Sequence, residues 1–502
     1  MSDAEVISKA EHDRTVAEYE DRIAELKFTI EKFKRLLHGR SSEKPAVNLD
    51  TGEIQTSLFE EENPPLPSSA TQSPKEAEAP KTRKPRFGAH LEREVVELEL
   101  TESERSCPCG QVQKSIGVEK SEKLEFIPAQ VKVLELHRHK YACASCKASG
   151  VRSAPVYETA FPKSAVTDAT RAHLLVQKFV DHLPYYRQSA ILRRSDVDLP
   201  DSTICRYVLE AADLLAPVVV AMCDEILSSS YIQADETTLP VLKTEKSKPG
   251  VHMAFLWTYG IPRSTVVFDY RRSRSGEHPK EFLARFRGII QSDRYGGYNP
   301  VRQREDILDV ACWAHARRKF VEAESSAGGR VKPILDLIAR LYEVEKHARE
   351  NELSHEARAA LRREHAPPVL GDLRRTLKHL LTSVRPKSPL GKAVDYALMH
   401  WEALEVYVEF GQVEIDTNLL ENSIRPIALG RKNYLFAGSD SGAEAAATLY
   451  TITETCRRVG LNPYQYLLEV FRRFARAEAP DPEFYRSLTP TRLHQELSTQ
   501  AS

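Results

Sequence analysis

Two short stretches decide the fold in the middle of the chain: Tyr231-Ile-Gln-Ala-Asp235-Glu-Thr and Gly288-Ile-Ile-Gln-Ser-Asp293. Each predicts a buried strand that ends in an acidic residue. The segments around them predict, in order, the two strands of a hairpin, a helix and a last strand, at residues 251–259, 264–270, 279–286 and 308–312.

The predicted order is three antiparallel strands followed by helix, strand, helix and strand, which is that of a ribonuclease-H-like sheet. The expected fold class is therefore α/β. In such a sheet Asp235 and Asp293 come at the ends of adjacent central strands, where they can share divalent cations. A helix packed beside the sheet must supply a third acid, and the segment 413–422 offers Glu421 with Asp416 as its N-cap.

Three carboxylates suit phosphodiester hydrolysis and strand transfer, which are in-line displacements. Two metal ions about 3.5–4 Å apart activate the nucleophile and stabilise the leaving oxygen. Carboxylate oxygens suit Mg²⁺ or Mn²⁺. Each acid taken alone also fits an ordinary strand-end or capping carboxylate.

Four cysteines form two close pairs, Cys107-Pro-Cys109 and Cys143-Ala-Ser-Cys146, with an alternating, hairpin-like segment between them. Two such pairs brought together by strands predict a tetrahedral thiolate site for structural Zn²⁺. The other interpretation is two unrelated pairs of buried thiols.

The N-terminal residues predict a coiled coil, because apolar residues alternate at spacings of three and four from Val16 to Leu37. The same pattern also fits an amphipathic helix packed on its own protein. Proline-rich sequence follows and ends in the basic cluster 81–86, which either lies along phosphates or keeps a linker soluble.

Residues 165–215 predict helices with a turn before residue 201. Thr203 and Arg206 then fall near the start of a helix, where a recognition helix meets base edges in the major groove. A helical hairpin without a role in DNA binding fits the same pattern.

Composition excludes several classes of protein. The 502 residues carry a formal net charge of −1, so an anionic partner must meet local basic patches. No run of about 18 apolar residues is present and the start is polar, so we expect no membrane span and a cytoplasmic location.

Six ordered motifs resemble the transposases of the insertion sequence 66 group. The longest is Glu421-Asn-Ser-Ile-Arg-Pro-Ile-Ala-Leu-Gly-Arg-Lys-Asn-Tyr-Leu-Phe-Ala-Gly-Ser439. The others begin at Leu37, His182, Asp235, Asp293 and Ala311, and the likeness runs from the coil to about Phe474.

The resemblance implies a DDE transposase whose metal-binding triad is Asp235, Asp293 and Glu421. The motif around Glu421 decides against Glu414 and Glu444 as the third acid. It also implies that Arg425, Arg431 and Lys432 contact the DNA backbone, although surface solvation explains them as well. In one departure from the family, Cys107 and Cys109 have one residue between them instead of two.

The expected function is therefore binding of the terminal repeats of an insertion sequence, followed by metal-dependent strand cleavage and transfer. Two alternatives are a catalytically inactive DNA-binding derivative and a structure-selective nuclease of the same fold. Expected partners are terminal-repeat and target DNA, a second copy of the chain through the coiled coil, and companion proteins of the element. The expected location of the protein is the cytoplasm, at the nucleoid.

The expected domains are a coiled-coil oligomerisation helix (1–43), a disordered basic linker (44–90), a zinc-binding module (91–155), a helix-turn-helix-like DNA-binding region (160–225), a ribonuclease-H-like catalytic core (228–325 and 411–440), a helical insertion (326–410) and a C-terminal helical segment (441–480).

Overall fold

The computed structural model describes residues 131–142, 151–242 and 250–500. The expected coiled coil, the linker and the four cysteines Cys107, Cys109, Cys143 and Cys146 lie outside the described residues. The described residues from 138 onward belong to one unit of the chain. Residues 131–137 belong to another, and these seven residues contain no helix or strand.

Seven strands and fifteen α-helices occur among the described residues. The strands are β1 Lys140–Ala142, β2 Val151–Ser153, β3 Tyr231–Leu242, β4 Val251–Gly260, β5 Val266–Arg271, β6 Gly288–Ser292 and β7 Ile307–Ala311. The helices are α1 Asp168–Phe179, α2 Tyr185–Arg193, α3 Asp201–Ser228, α4 Glu277–Phe282, α5 Asn299–Arg302, α6 Trp313–Ala323, α7 Lys332–Glu350, α8 His355–Ser383, α9 Pro389–Met399, α10 Trp401–Glu405, α11 Asn418–Tyr434, α12 Asp440–Arg458, α13 Pro463–Arg476, α14 Pro482–Ser487 and α15 Pro490–Gln500.

A five-stranded mixed sheet with the order β5-β4-β3-β6-β7 forms the centre of this unit. β3, β4 and β5 are antiparallel, while β3, β6 and β7 are parallel. β3 pairs with β6 only from Tyr231 to Gln233, whereas its pairing with β4 continues to Leu242. Asp235 therefore lies within a long strand, just past the point where β3 and β6 separate, and not at the end of the strand as expected.

The edge strand β5 is covered by helix α12. The amides of Val266 and Phe268 donate to the hydroxyl oxygens of Thr455 and Thr451 at 3.1 and 3.0 Å. These bonds satisfy groups that an open edge would leave available to another strand. The C-terminal helices continue beyond residue 480, where the expected segment ends, because α14 and α15 follow.

Helices α7 to α10 occupy most of the expected insertion and pack against one part of the sheet. Tyr231, Ile289 and Val310, from three adjacent strands, belong to the same buried cluster as Trp313 and Trp401. The insertion is therefore joined to the core through apolar packing.

Within the described part of the chain, no helix has the length and apolar character needed to span a membrane.

Candidate active site

Two buried glutamines at the centre of the sheet connect it to the segment that leads into α11. Gln233 Nε2 donates to Gln291 Oε1 at 2.9 Å and to the carbonyl oxygen of Asp416 at 2.8 Å. Gln291 Nε2 donates to the carbonyl oxygen of Glu414 at 2.8 Å, and the Tyr231 hydroxyl donates to Gln291 Oε1 at 2.6 Å. Residues 414–416 are thus fixed directly on β3 and β6.

Further hydrogen bonds fix the start of α11. The amide of Trp313 donates to the carbonyl oxygen of Ile415 at 3.1 Å, and the amide of Thr417 donates to Cys312 Sγ at 3.3 Å. Asp416 Oδ1 accepts from the amide of Asn418 at 3.0 Å, which satisfies one of the free amides of the first turn. Glu421 lies in that first turn.

The register of the sheet places Asp235 and Asp293 at the same level. Gln233 is directly opposite Gln291 in the parallel pair, and each aspartate lies two residues further on, Asp235 on the same side of β3 as Gln233 and Asp293 one residue past the end of β6. The two strands share the pattern Gln-x-Asp, at residues 233–235 and 291–293. Sequence analysis missed these glutamines, although the repeated pattern was visible.

Asp235 is half-buried among other acidic groups. Burial raises the pKa of its carboxyl group well above the usual range, and the negative charges of Asp293, Glu236 and Glu421 raise it further. The nearby His315 acts in the opposite direction. Asp235 therefore interacts electrostatically with the other two acids predicted from sequence, and nearby positive charge favours its ionised form.

Glu421 contacts two basic side chains of α6. Arg318 Nη2 lies 3.1 Å from Glu421 Oε2, and His315 Nε2 lies 3.6 Å from Glu421 Oε1. Glu421 Oε1 is buried and accepts no hydrogen bond from the described residues. Trp313 of the same helix packs in the core, where its Nε1 donates to the carbonyl oxygen of Leu404 at 2.9 Å.

The donors at this site fit a divalent cation in their chemistry. Asp235, Asp293 and Glu421 supply hard oxygen ligands, one of them a buried oxygen without a hydrogen bond. As the side chains stand, no group of three or more His, Cys, Asp or Glu within residues 131–142, 151–242 and 250–500 is arranged to hold a metal ion.

The two rival acids lie in other surroundings. Glu414 Oε2 is 2.7 Å from Arg358 Nη2, and Arg358 also binds Glu345. Burial alone would raise the pKa of Glu414, but the hydrogen bonds and charge of Arg358 lower it below its usual value. Glu444 is exposed on α12. Glu414 has a structural partner that accounts for its charge.

The basic residues of α11 differ in their accessibility. Lys432 is exposed, and Arg425 is half-buried on the helix that begins beside Glu421. Arg431 instead turns inward: its Nη1 donates to Thr238 Oγ1 at 2.6 Å and also to the carbonyl oxygen of Thr238. The Arg431 side chain therefore ties the end of α11 to β3.

Thr203 and Arg206 lie near the start of α3, as the sequence predicts. Thr203 is half-buried. Arg206 is exposed, and its Nη1 lies 3.1 Å from Glu210 Oε1 one turn further along the helix. The Arg206 guanidinium is thus open to an external partner only in competition with Glu210.

Comparison with known proteins identifies the family. The family model described as "Transposase IS66 family" matches residues 163–445, which include the whole central sheet and all three acids. The chain belongs to the IS66 family of transposases. Two further models match outside this part: "zinc-finger binding domain of transposase IS66" at residues 104–147, and "Transposase C of IS166 homeodomain" at residues 25–96.

Relatives of this IS66 transposase occur in Sinorhizobium fredii. The protein y4hP is 32% identical over 487 residues, covering 90% of this chain and 86% of its own length. The protein y4jD is 30% identical over 472 residues, covering 90% of this chain and 91% of its own length.

Membership of the IS66 family implies DNA binding and the use of a divalent metal ion. The match at residues 104–147 contains all four cysteines of the two pairs and implies zinc.

Proposed function

We propose that this IS66 transposase cleaves DNA at the ends of its element and joins the freed 3′ ends to target DNA. The observation that carries the proposal is the convergence of Asp235, Asp293 and Glu421 at the point where β3 and β6 separate. The order of the sheet, with three antiparallel strands continued by two parallel ones, supports a ribonuclease-H-like core.

Asp235, Asp293 and Glu421 would hold the divalent cations, which would be Mg²⁺ or Mn²⁺. When bound, such ions activate the attacking oxygen and stabilise the leaving oxygen of the phosphodiester. Without them, the guanidinium of Arg318 and the ring of His315 lie against the Glu421 carboxylate and reduce repulsion between the acids.

The chain's other residues position the reacting groups. Gln233 and Gln291 hold the start of α11 against the sheet, so Glu421 would be positioned beside Asp235. Lys432 and Arg425 lie further along the same helix and would contact DNA phosphates. No covalent intermediate between protein and DNA is proposed. Tyr298, which lies near Asp235 and Asp293, is fully buried, and burial raises the pKa of its hydroxyl well above the usual range.

The N-terminal parts would assemble the complex. The predicted coiled coil would pair two copies of the chain, and Cys107, Cys109, Cys143 and Cys146 would hold Zn²⁺. Thr203 and Arg206 of α3 would read the terminal repeats. Companion proteins of the same element would join this assembly at the nucleoid, where its DNA substrates lie.

Strand cleavage tests this proposal against its alternatives. Purified full-length protein with Mg²⁺ is given three labelled DNAs: the element's terminal repeat, a scrambled duplex and a branched duplex. We expect nicking and joining on the terminal repeat alone. Cleavage of the branched DNA without sequence preference would indicate a structure-selective nuclease, and binding of the repeat without any cleavage would indicate an inactive derivative.

A further inference from the structure

The end of α11 contains a strained turn. Leu435 has φ 65° and ψ −46°, a backbone conformation that non-glycine residues rarely adopt. The amide of Phe436 donates to the carbonyl oxygen of Tyr434 at 2.8 Å, which closes a three-residue γ-turn around Leu435. γ-turns of this sign are rare and strained, and such strain persists only where the surroundings impose it.

Contacts on both sides hold this turn in place. The Leu435 amide donates to the carbonyl oxygen of Arg431 at 2.8 Å. Ala437 bonds to β3 on both sides, with its amide donating to Pro240 and its carbonyl oxygen accepting from the amide of Leu242, each at 2.9 Å. Backbone hydrogen bonds therefore hold the turn to α11 on one side and to β3 on the other.

The turn directs apolar side chains into solvent. Leu435 is 64% exposed and Phe436 is 39% exposed, although both are large hydrophobic residues. Leu429, six residues before Leu435 on α11, is 41% exposed. With the exposed Lys432 between them, these residues form an apolar patch with a positive charge inside it.

A single face of α11 leads from the candidate acid to this patch. Glu421, Arg425, Leu429 and Lys432 follow one another at spacings of four, four and three residues, which places them on one side of the helix. A DNA strand that lies with its cleaved bond at Glu421 and its phosphates along this face would reach Phe436.

Two lengths, one along α11 and one along β3, give the distance from the candidate acids to the turn at Leu435. The thirteen residues from Glu421 to Tyr434 span about 20 Å at the rise of an α-helix. The six residues of β3 from Asp235 to Val241, which pairs with Ala437, also span about 20 Å at the rise of a strand. At about 3.4 Å per nucleotide of one strand, this is roughly six nucleotides.

We propose that Leu435 and Phe436 form an apolar wedge that inserts between bases of the bound DNA, about six nucleotides from the cleaved bond. The wedge rests on the proposed function, because it requires DNA at the candidate acids. DNA is the occupant favoured here, because Lys432 and Arg425 offer positive charge to phosphates on the same face. Strain at Leu435 fixes the wedge before DNA arrives, so little ordering is needed on binding.

Fluorescence of 2-aminopurine tests the wedge, because its emission rises when the base leaves the stack. The probe is placed in turn at positions two to ten from the cleaved bond of terminal-repeat duplexes, and binding is followed by anisotropy in the same sample. With wild-type protein we expect emission to rise at one position about six nucleotides away. Phe436→Ala and Leu435→Gly should abolish the rise and weaken binding about fivefold or more, as lost base contacts do.

Two further variants serve as controls. Phe436→Trp keeps a stacking ring and should retain the rise. Leu381→Ala removes another exposed leucine, 47% accessible on α8, and should behave as wild type. Binding of DNA without any rise, or a rise that survives Phe436→Ala, would overturn the wedge while leaving the proposed function intact. Loss of self-association in Phe436→Ala with an unchanged rise would show that the patch binds protein. Absence of DNA binding by wild type would overturn both.

Discussion

Individual carboxylates at this site differ because their surroundings differ. Asp235 is half-buried beside acidic neighbours, and its desolvation and their negative charges raise its pKa well above the usual range, so a bound cation would favour its ionised form. Asp416 is buried, and its pKa is raised to about 6 by burial, although hydrogen bonds from Asn418 and Tyr342 act in the other direction. Asp416 is not one of the three candidate acids, and its side chain is held by Asn418 and Tyr342, so its titration reports on folding.

Asp416→Asn should change how stability depends on pH. The pKa of about 6 in the folded protein lies above the ordinary aspartate value of about 3.9, so Asp416 loses its proton at a lower pH in the unfolded chain. The contribution of Asp416 to the free energy of unfolding of the wild type therefore falls as the pH rises from about 4 to 6, and it does not return at higher pH. Relative to wild type, Asp416→Asn should gain roughly 3 kcal/mol across that interval.

Urea unfolding of both proteins at several pH values measures this difference. The hydrogen bonds lost in the variant change its free energy of unfolding by the same amount at every pH. The ionisation of Asp416 instead makes the difference between the two proteins change with pH. A difference that is the same at pH 4.5 and pH 7 would contradict the assignment.

At the level of elements, the connection between the sheet and α11 positions the third acid. The sequence predicts the strands and the helix well, because apolar runs and motif spacing are local signals. The full length of β3 could not be predicted, since pairing with β4 rather than local pattern carries it to Leu242. The hydrogen bonds of Gln233 and Gln291 to residues 416 and 414 could not be predicted either, because they join positions far apart in the chain.

Gln233→Met should lower the rate of DNA cleavage strongly while lowering the free energy of unfolding only moderately. It leaves the carbonyl oxygen of Asp416 buried without its donor, which costs about 1–3 kcal/mol. A displacement of Glu421 by about 1 Å should then lower the cleavage rate about a hundredfold.

The matched control is Thr451→Val, which removes the acceptor of the Phe268 amide on β5, a strand that β4 separates from β3. We expect Thr451→Val to lose a similar free energy of unfolding in urea but to cleave DNA at nearly the wild-type rate. If both variants cleave equally well, the glutamines do not position Glu421.

At the scale of the whole molecule, a buried ionic cluster joins the insertion to the core. Glu345 of α7 binds Arg358 and Arg362 of α8, and Arg358 reaches Glu414 on the segment before α11. The residue pattern of this interval predicts helices. It does not predict the cluster, because Glu and Arg at these spacings normally indicate a solvated face.

Glu414→Gln should therefore destabilise the fold, since it leaves Arg358 with less buried compensation. We expect a loss of about 3–5 kcal/mol in urea unfolding, as for a buried ion pair that loses one partner. Glu421→Gln, in a half-exposed site, should unfold within about 1 kcal/mol of wild type. The reverse order of stabilities would mean that these two acids have been assigned the wrong roles.

The rate of strand nicking on terminal-repeat DNA with Mg²⁺ tests the central claim most directly. Wild type is compared with Asp235→Asn, Asp293→Asn and Glu421→Gln, and with Glu444→Gln as the exposed control. We expect each of the three to lose about a thousandfold or more in rate while DNA binding is retained, and the control to be unaffected. Nicking by any of the three at the wild-type rate would contradict the assignment of that residue to the catalytic triad.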